Sequence, residues 1–247
     1  MKAMILAAGL GTRLRPLTND RPKALVTVAG KTLLEIAIER LRSSGVNEVI
    51  VNAHYFADMI VDYLKSNNNF GMHIEVSREE TLLDTGGGLK NAAHFFLDDG
   101  NTTDEPFILH NVDVISDIEL GEMVRFQRER GALATLAVQA RKTSRSLLFD
   151  EHGELCGRRA GLDGPQEQVR PAQTVHALGF SGIHVLSLRI FALMKEQGAF
   201  SIIDTYLRLA GSGEKAVAFR ADGSYWRDLG RPESILLAEQ EVAGGGK

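Results

Sequence analysis

Short apolar runs alternate with helical patterns along the first half of the chain, and this alternation constrains the fold more than any other feature. Apolar runs that predict buried strands span residues 2–8, 46–53, 72–77 and 106–114. Apolar residues recur at helical spacing over residues 32–45, 56–66 and 88–96. Thr32 precedes the first of these helices and is suited to cap it. The alternation predicts an α/β protein with a parallel, doubly wound sheet and helices on both faces.

The second half of the chain, from residue 132, has a different pattern. A further helix over 118–131 leads into a continuous apolar strand over 132–140 and a hairpin over 146–157 that turns at His152 and Gly153. A polar, loop-like segment follows. The remaining predicted elements are a long strand, two helices, a strand, a short strand and a last helix, over 175–187, 188–198, 200–211, 215–221, 225–226 and 232–242. We therefore expect one domain over 1–243, with halves 1–131 and 132–243, and a disordered tail over 244–247.

Composition limits the classes of partner. The 28 lysines and arginines are outnumbered by 32 acidic residues, giving a net charge of −4, so no general basic surface predicts binding to nucleic acid. The single cysteine, Cys156, cannot form an internal disulfide. No apolar run reaches the roughly 18–20 residues that cross a bilayer. We expect a cytoplasmic protein with no membrane partner.

The first strand runs into a glycine loop, LAAGLGTRLRP, over residues 6–16. A dinucleotide-binding fingerprint needs a third glycine where this chain has Leu14, and it leads into a helix that Pro16 does not favour. The phosphate-binding loop that ends in Gly-Lys-Ser/Thr is also missing. Two interpretations stay open: a glycine turn whose amides bind phosphate, completed by Arg13 and Lys23, or a flexible turn followed by a solvated basic loop.

Two aspartates are candidates for a cation site. Asp113 follows a buried strand, and the carboxyl end of such a strand is where ligands bind in open α/β sheets. Asp228 lies far along the chain, in YWRDLG. Mg²⁺ is commonly bound by one or two carboxylates together with substrate phosphates. The alternative is that Asp113 only caps the turn after its strand.

Several motifs together resemble a known family. LAAGLGTRLRPLT, PKAL, VAGKTLLE, LLDTGGGLKNA, NVD, GFSGIHVL and WRDLGRPE are similar to the signatures of the sugar-1-phosphate nucleotidyltransferases, and they cover nearly the whole chain. The short uridylyl- and guanylyltransferases of the family are the most similar. The resemblance implies a three-layer αβα, Rossmann-like nucleotidyltransferase fold with a mainly parallel, mixed central sheet. It also implies a nucleotide-binding half over 1–131 and a sugar-phosphate-binding half over 132–243.

The resemblance implies an activity and a set of site residues. A phosphate oxygen of a sugar-1-phosphate would attack the α-phosphorus of a nucleoside triphosphate and expel pyrophosphate, whose release can be measured. Mg²⁺ would be the cofactor. The protein would be a monomer or a small homo-oligomer. The implied catalytic residues are Arg13, Lys23, Asp113 and Asp228, of which the two aspartates would hold the metal. The implied nucleotide-binding residues are Leu6, Ala7, Ala8, Gly9, Gly11, Thr12, Arg13, Glu79, Thr85 and Gly86. The implied sugar-phosphate-binding residues are Lys23, Asn111 and Gly182.

This chain departs from the family at two places. Val112 stands where the family usually has glycine, which we expect either to narrow the acceptor pocket or to shift the loop slightly. The Glu-Lys-Pro segment with which many longer relatives hold the sugar phosphate is missing. An inactive regulatory homologue is an alternative, although such a protein is expected to lose one of the four catalytic residues, and this chain keeps them all. A dehydrogenase is disfavoured by Leu14 and Pro16.

Glu79 is the candidate that selects the base. It falls where many relatives place a glutamine that contacts the base, and the glycines after Asp84 are expected to form the turn that lets the backbone approach. An ionised carboxylate only accepts hydrogen bonds, so it suits uracil or guanine, which donate, better than cytosine or adenine. The alternative is that Glu79 is a solvated loop residue.

Overall fold

The fold was analysed in a computed structural model that describes residues 1–97 and 105–243. The tail predicted over 244–247 lies outside the described residues. The strands are β1 (Lys2–Leu6), β2 (Thr27–Val28), β3 (Lys31–Thr32), β4 (Glu48–Ala53), β5 (His73–Arg78), β6 (Phe107–Asn111), β7 (Val114–Ser116), β8 (Ala134–Gln139), β9 (Arg145–Phe149), β10 (Leu155–Ala160), β11 (Gln166–Gln168), β12 (His176–Leu186), β13 (Ala216–Arg220) and β14 (Trp226–Asp228). The helices are α1 (Leu33–Ser43), α2 (Ala57–Ser66), α3 (Asp84–Asn91), α4 (Ala93–Leu97), α5 (Leu120–Arg130), α6 (Ile190–Leu193), α7 (Ile202–Gly211) and α8 (Pro232–Ala243).

The central sheet is mixed. Strands β5, β4, β1 and β6 lie side by side in that order and are all parallel. The long strand β12 then pairs antiparallel with β6 through its second half, with β9 through its first half, and with β8. Strands β9, β10 and β11 continue as antiparallel neighbours, while β13 pairs parallel with β8. Parallel pairing therefore dominates the first half and antiparallel pairing the second.

Alternate residues of β1 show why helices cover both faces. Ala3 and Ile5 pack into one core with residues of α1 and α5, whereas Met4 packs into a second core with residues of α3, α4 and α7. All three side chains are fully buried. Because side chains alternate between the faces of a strand, an unbroken apolar run requires apolar cover on both sides. The expected three-layer arrangement is thus confirmed.

Most predicted elements are present, and the differences have local reasons. Thr32 caps α1, since its hydroxyl accepts a hydrogen bond from the amide of Glu35 at 3.1 Å. The hairpin β9–β10 turns where expected, with Gly153 at φ +74°. The helix predicted over 188–198 is only one turn, α6, and the loop-like segment after the hairpin contains the short strand β11. The helix predicted over 88–96 instead begins at Asp84 and breaks at Ala92.

Two histidines are fully buried on the neighbouring strands β6 and β12. Burial lowers the pKa of His110 to about 4 and that of His184 to about 3. His184 Nδ1 lies 2.8 Å from the hydroxyl of Tyr206, which is also fully buried. Both imidazoles are therefore neutral at pH 7 and belong to the packing of the sheet.

Among the helices of the described ranges, none combines the length and the apolar character needed to cross a membrane.

Candidate active site

The glycine loop begins where β1 ends, at the carboxyl edge of the parallel strands. Gly11 has φ +63°, and a Cβ at this position would lie 3.0 Å from Cγ2 of Thr18 and 3.1 Å from Cβ of Lys23. The Thr18 hydroxyl donates to the Gly11 carbonyl at 2.9 Å. The loop therefore folds back on itself, and this tight approach brings Lys23 to the end of β1.

A cavity of about 450 Å³ opens beside this loop. The predicted nucleotide-binding residues that line it are Leu6, Ala7, Ala8, Gly9 and Thr85, and the other predicted residues that line it are Lys23, Asn111 and Asp113. The predicted nucleotide-binding residues that do not line it are Gly11, Thr12, Arg13, Glu79 and Gly86. We call it the first cavity.

Lys23 and Asp113 meet at the inner end of the first cavity. The Lys23 ammonium forms an ion pair with Oδ2 of Asp113, and both side chains are largely buried, with 11% and 15% of their surface exposed. Lys23 reaches this point because a short 3-10 turn, Lys23–Leu25, begins directly after Pro22. A cation that is mostly withdrawn from water is well placed to interact strongly with a phosphate.

Asp228 is brought to Asp113 by a second, smaller sheet. Strand β14 pairs antiparallel with β7, and the amide of Leu229 donates to the carbonyl of Asp113 at 2.8 Å. The amide of Gly230 donates to Oδ1 of Asp228 at 2.6 Å. A Cβ on Gly230 would lie 2.7 Å from this carboxylate oxygen and 2.6 Å from Nη2 of Arg13. The fold thus brings together all four predicted catalytic residues.

A second cavity of about 780 Å³ lies on the other side of Asp113. It shares Asn111 and Asp113 with the first cavity, and Gly182 and Asp228 also line it. Gly182 has φ +76°, and a Cβ there would lie 2.9 Å from Nδ2 of Asn111. The predicted sugar-phosphate-binding residues Asn111 and Gly182 are therefore in contact, at the junction between the two cavities.

Arg141 is a prominent residue of the second cavity that the sequence patterns did not reveal. Its guanidinium carbon lies 3.8 Å from the centre of the Trp226 ring, and its Nη2 donates to the Phe180 carbonyl at 2.5 Å. The absence of a side chain on Gly179 makes room for it. Burial lowers the pKa of Arg141, and the nearby Asp228 carboxylate opposes this shift. Arg141 stands among other basic residues, Lys142 and Arg145, and nothing in the pattern of that segment distinguishes it.

The glycines after Asp84 do not form a turn, and that prediction is wrong. Gly86, Gly87 and Gly88 are buried within α3. A Cβ on Gly86 would overlap the ring of Phe200, and one on Gly87 would overlap the carbonyl of Gly198. The amide of Gly86 also donates to the Phe200 carbonyl at 2.9 Å, so Gly86 supports the wall of the first cavity from behind. Close packing requires glycine here, although glycine ordinarily weakens a helix.

Glu79 is buried, with 5% of its surface exposed, so the alternative that it is a solvated loop residue is wrong. Its Oε1 accepts from Nδ2 of Asn52 at 2.7 Å, and its Oε2 accepts from the amide of Leu83 at 3.0 Å. Oδ1 of Asn52 in turn accepts from the amide of Ala7 at 2.7 Å. Glu79 therefore supports the first cavity through Asn52, which itself lines that cavity. Direct contact between Glu79 and a base stays a prediction.

Val112 lies in a different place from the one expected. It is 4% exposed, packs into the core that contains Ile5, and lines the first cavity, not the second. Its amide donates to the Leu6 carbonyl at 3.2 Å. This position gives no support to a narrowing of the second cavity, and a slight shift of the loop stays a prediction.

The donor set at the junction suits Mg²⁺. In the ranges 1–97 and 105–243, no group of three or more histidine, cysteine, aspartate or glutamate side chains is arranged to hold a metal. Asp113 and Asp228 are two hard oxygen donors from separate segments, held together through the Leu229 hydrogen bond. Mg²⁺ takes one or two carboxylates and completes its shell with water and phosphate oxygens, so two carboxylates fit.

The fold and the site define a class. The chain belongs to the nucleotidyl transferase family, which residues 2–148 match. It is 35% identical to the N-acetylmuramate alpha-1-phosphate uridylyltransferase of Caulobacter vibrioides, over 98% of this chain and 96% of that protein. The resemblance to sugar-1-phosphate nucleotidyltransferases is thereby confirmed.

Solved structures agree on the fold. HddC from Yersinia pseudotuberculosis, complexed with GMP-PN, has a TM-score of 0.73 and 26% identity, with 98% of this chain and 99% of that chain covered. A UDP-glucose pyrophosphorylase complexed with UDP-glucose has a TM-score of 0.78, with 99% and 98% covered. Its 19% identity makes it evidence for the fold alone. The predicted nucleotidyltransferase fold class is confirmed.

Proposed function

We propose that this protein transfers a nucleotidyl group from a nucleoside triphosphate to a sugar-1-phosphate, releasing pyrophosphate and a nucleoside diphosphate sugar. The observation that carries the proposal is that two cavities meet at Asn111 and Asp113, with the Lys23 ammonium bound at the meeting point. One substrate in each cavity would bring the two phosphates together there. Positioning of this kind is the largest part of what phosphoryl chemistry requires of a protein.

The first cavity would bind the nucleoside triphosphate. The backbone from Leu6 to Gly9 lines the place for the nucleoside, and the amides after Gly9 lead towards Arg13. Arg13 lies beside Gly230, next to Asp228, where it can neutralise the β- and γ-phosphates that leave as pyrophosphate. This arrangement leaves the α-phosphorus facing the junction.

The second cavity would bind the sugar-1-phosphate. A phosphate oxygen of the sugar forms a bond to the α-phosphorus while the bond from that phosphorus to the bridging oxygen of pyrophosphate breaks. Lys23 is placed to balance charge on the transferred phosphate, and Asn111 and Gly182 shape the place for the sugar. The reaction consumes no proton from the protein, so no general base is needed.

Asp113 and Asp228 would hold Mg²⁺ between them. When bound, the ion supplies charge neutralisation and alignment of phosphate oxygens. The ion pair between Lys23 and Asp113 keeps the Asp113 carboxylate at the junction. The same four residues argue against an inactive regulatory homologue, since none of them is replaced.

UTP and N-acetylmuramate 1-phosphate are the substrates we propose. The support is the similarity to the Caulobacter vibrioides uridylyltransferase over nearly the whole of both chains. Guanine is the second candidate base, since HddC is complexed with a guanine nucleotide. Glu79 does not choose between these bases, because its two carboxylate oxygens already accept from Asn52 and Leu83 and it does not line the first cavity. A cytoplasmic location and a monomeric or small homo-oligomeric state stay predictions.

A substrate panel tests this proposal. UTP, GTP, CTP, ATP and dTTP are each combined with Mg²⁺ and the 1-phosphates of N-acetylmuramate, mannose, glucose and heptose, and pyrophosphate release is measured. We expect the highest kcat/KM for UTP with N-acetylmuramate 1-phosphate, with release that requires both substrates. Absence of pyrophosphate release in every combination would overturn the proposed reaction, and a clear preference for CTP or ATP would overturn the proposed base.

A further inference from the structure

Four arginines line the second cavity, which is more than a single phosphate group requires. Its charged lining residues are Arg141, Arg145, Arg158, Arg159, Asp113, Glu167, Asp204 and Asp228. The numbers of cations and anions are equal, but only some of the arginines are paired with these carboxylates. The partners of each arginine therefore decide which positive charge remains for a ligand.

Arg158 is fully paired within the protein. Its Nε donates to Oε2 of Glu167 at 2.6 Å, and its Nη1 donates to Oδ1 of Asp204 at 2.5 Å. These two hydrogen bonds raise the pKa of Arg158 and occupy two of the four lining carboxylates. A residue held on both sides in this way is part of the wall, not a ligand-binding group.

Three lining arginines, Arg141, Arg145 and Arg159, form no ion pair within the ranges 1–97 and 105–243. Arg141 is held by Trp226 and the Phe180 carbonyl and faces Asp228. Arg145 and Arg159 have no such ring stacking in the part of the chain that the structure describes, and no side-chain hydrogen bond of either guanidinium is seen there. Nε of Arg159 is also buried without a hydrogen-bond partner among those residues. A buried guanidinium donor without an acceptor is costly, and an anionic group of a ligand in the second cavity would satisfy this one, as it would Nε of Arg141, which is also buried without a partner among the described residues.

The register of the strands places both arginines away from the transferred phosphate. Strand β12 pairs with β9 up to Gly179 and with β6 from Ile183 onwards, so residues 180–182 form the floor between β9 and β6. Arg145 is the first residue of β9, and Arg159 lies opposite Ser146 on β10. With a rise of ~3.3 Å per residue and ~4.8 Å between strands, this register puts the backbone of Arg145 roughly 7 Å and that of Arg159 roughly 11 Å from the level of Asn111. Both backbones are therefore displaced from the junction, on the part of the second cavity where the ring substituents of a bound sugar would lie.

We propose that Arg145 and Arg159 recognise a second anionic group, a carboxylate, on the acceptor sugar. This inference rests on the proposed function, and it assigns specificity for an acidic sugar-1-phosphate to two residues outside the catalytic group. Arginine binds carboxylate through parallel N–H donors, which a neutral substituent cannot use as well. N-acetylmuramate carries such a group on its lactyl ether, which N-acetylglucosamine lacks.

The two sugars provide a matched pair for the test. We measure kcat/KM by pyrophosphate release with UTP and either N-acetylmuramate 1-phosphate or N-acetylglucosamine 1-phosphate, for the wild type and for Arg145→Met and Arg159→Met. The wild type should prefer the acidic acceptor. Arg159→Met should lower kcat/KM about 10- to 100-fold for the acidic acceptor and less than about threefold for the neutral one, which is the size of a charge-assisted contact. Arg145→Met should act in the same direction.

Arg158→Met is the matched control, since it is the next residue on the same strand but is already paired. The ratio of kcat/KM for the two acceptors should stay within about threefold of the wild-type ratio in this variant. An equal loss for both acceptors in Arg159→Met would overturn the inference. Pyrophosphate release by the wild type that is equally fast with both acceptors would also overturn it, while leaving the proposed function intact. Absence of release with either would refute the proposed function instead.

Discussion

The Asn52 side chain joins two buried segments, and its replacement by alanine is the most informative structural perturbation. Asn52 is 2% exposed, accepts from the amide of Ala7 and donates to the carboxylate of Glu79, both at 2.7 Å. Asn52→Ala leaves both of these groups without that partner. Each buried group left unsatisfied costs about 1–3 kcal/mol, so we expect the free energy of unfolding to fall by about 2–5 kcal/mol.

The same substitution should affect nucleotide binding. Ala7 lines the first cavity, and its amide is held in place only through Asn52 among the described hydrogen bonds. A displacement of this backbone should reduce kcat/KM for the nucleotide about tenfold, which corresponds to about 1.4 kcal/mol. Glu79 accepts from the Asn52 side chain and from the amide of Leu83, so Glu79→Gln would place an NH2 group against one of these two donors. The losses in Asn52→Ala and Glu79→Gln should therefore not be additive in the double variant.

Urea unfolding and steady-state kinetics check this prediction. Asn91→Ala is the control, because the exposed Asn91 donates to the Ser77 hydroxyl at 3.0 Å, away from both cavities. It should change the free energy of unfolding by less than about 1 kcal/mol. An Asn52→Ala protein that unfolds like the control and keeps its nucleotide kcat/KM would refute the role of this network.

Three further predictions concern the junction and the sheet. Asp113→Asn and Asp228→Asn should each lower turnover with Mg²⁺ by orders of magnitude, and near-normal turnover would exclude metal ligation by that residue; Asp113→Asn should also lower Tm, because it leaves the largely buried Lys23 ammonium without its carboxylate partner. Arg13→Ala should lower kcat/KM about 10²-fold. Gly230→Ala should also lower kcat/KM, because its Cβ would lie 2.6 Å from Nη2 of Arg13. Unchanged kinetics in both variants would indicate that Arg13 is solvated. The buried histidines of β6 and β12 have pKa values of about 4 and 3 in the folded protein against about 6.5 when unfolded, so the unfolded state binds more protons below pH 6.5. The free energy of unfolding should therefore decrease as the pH is lowered, by about 4 kcal/mol from pH 7 to pH 5, as measured by urea unfolding. A free energy of unfolding that is constant over this range would contradict the burial of the two histidines as neutral groups.

Hydrophobic periodicity was sufficient to predict most of the fold. Strands such as β1 and helices such as α1 have one pattern each, and nothing in the tertiary structure opposes it. The triple glycine of α3 is the main failure, because its helical state depends on the close approach of Phe200 and Gly198, which are more than 100 residues away. Local propensity cannot report a contact of that kind.

The residues of the candidate site also divide into those that the sequence predicts and those that it does not. Arg13, Lys23, Asp113 and Asp228 lie in motifs of distinctive composition, and the fold brings them together. The sequence patterns do not predict Asn52 and Arg141, because the role of each depends on a partner from a distant part of the chain, Ala7 and Trp226 respectively.

Phosphorus-31 NMR tests the central claim, nucleotidyl transfer at the junction of the two cavities, most directly. The protein is incubated with Mg²⁺, UTP and N-acetylmuramate 1-phosphate whose phosphate oxygens carry ¹⁸O. We predict equal amounts of pyrophosphate and a nucleoside diphosphate sugar that carries ¹⁸O in the bridge between its two phosphorus atoms. Asp113→Asn should form almost no product. Formation of UMP and pyrophosphate without the sugar diphosphate, or of UDP with a doubly phosphorylated sugar, would contradict it.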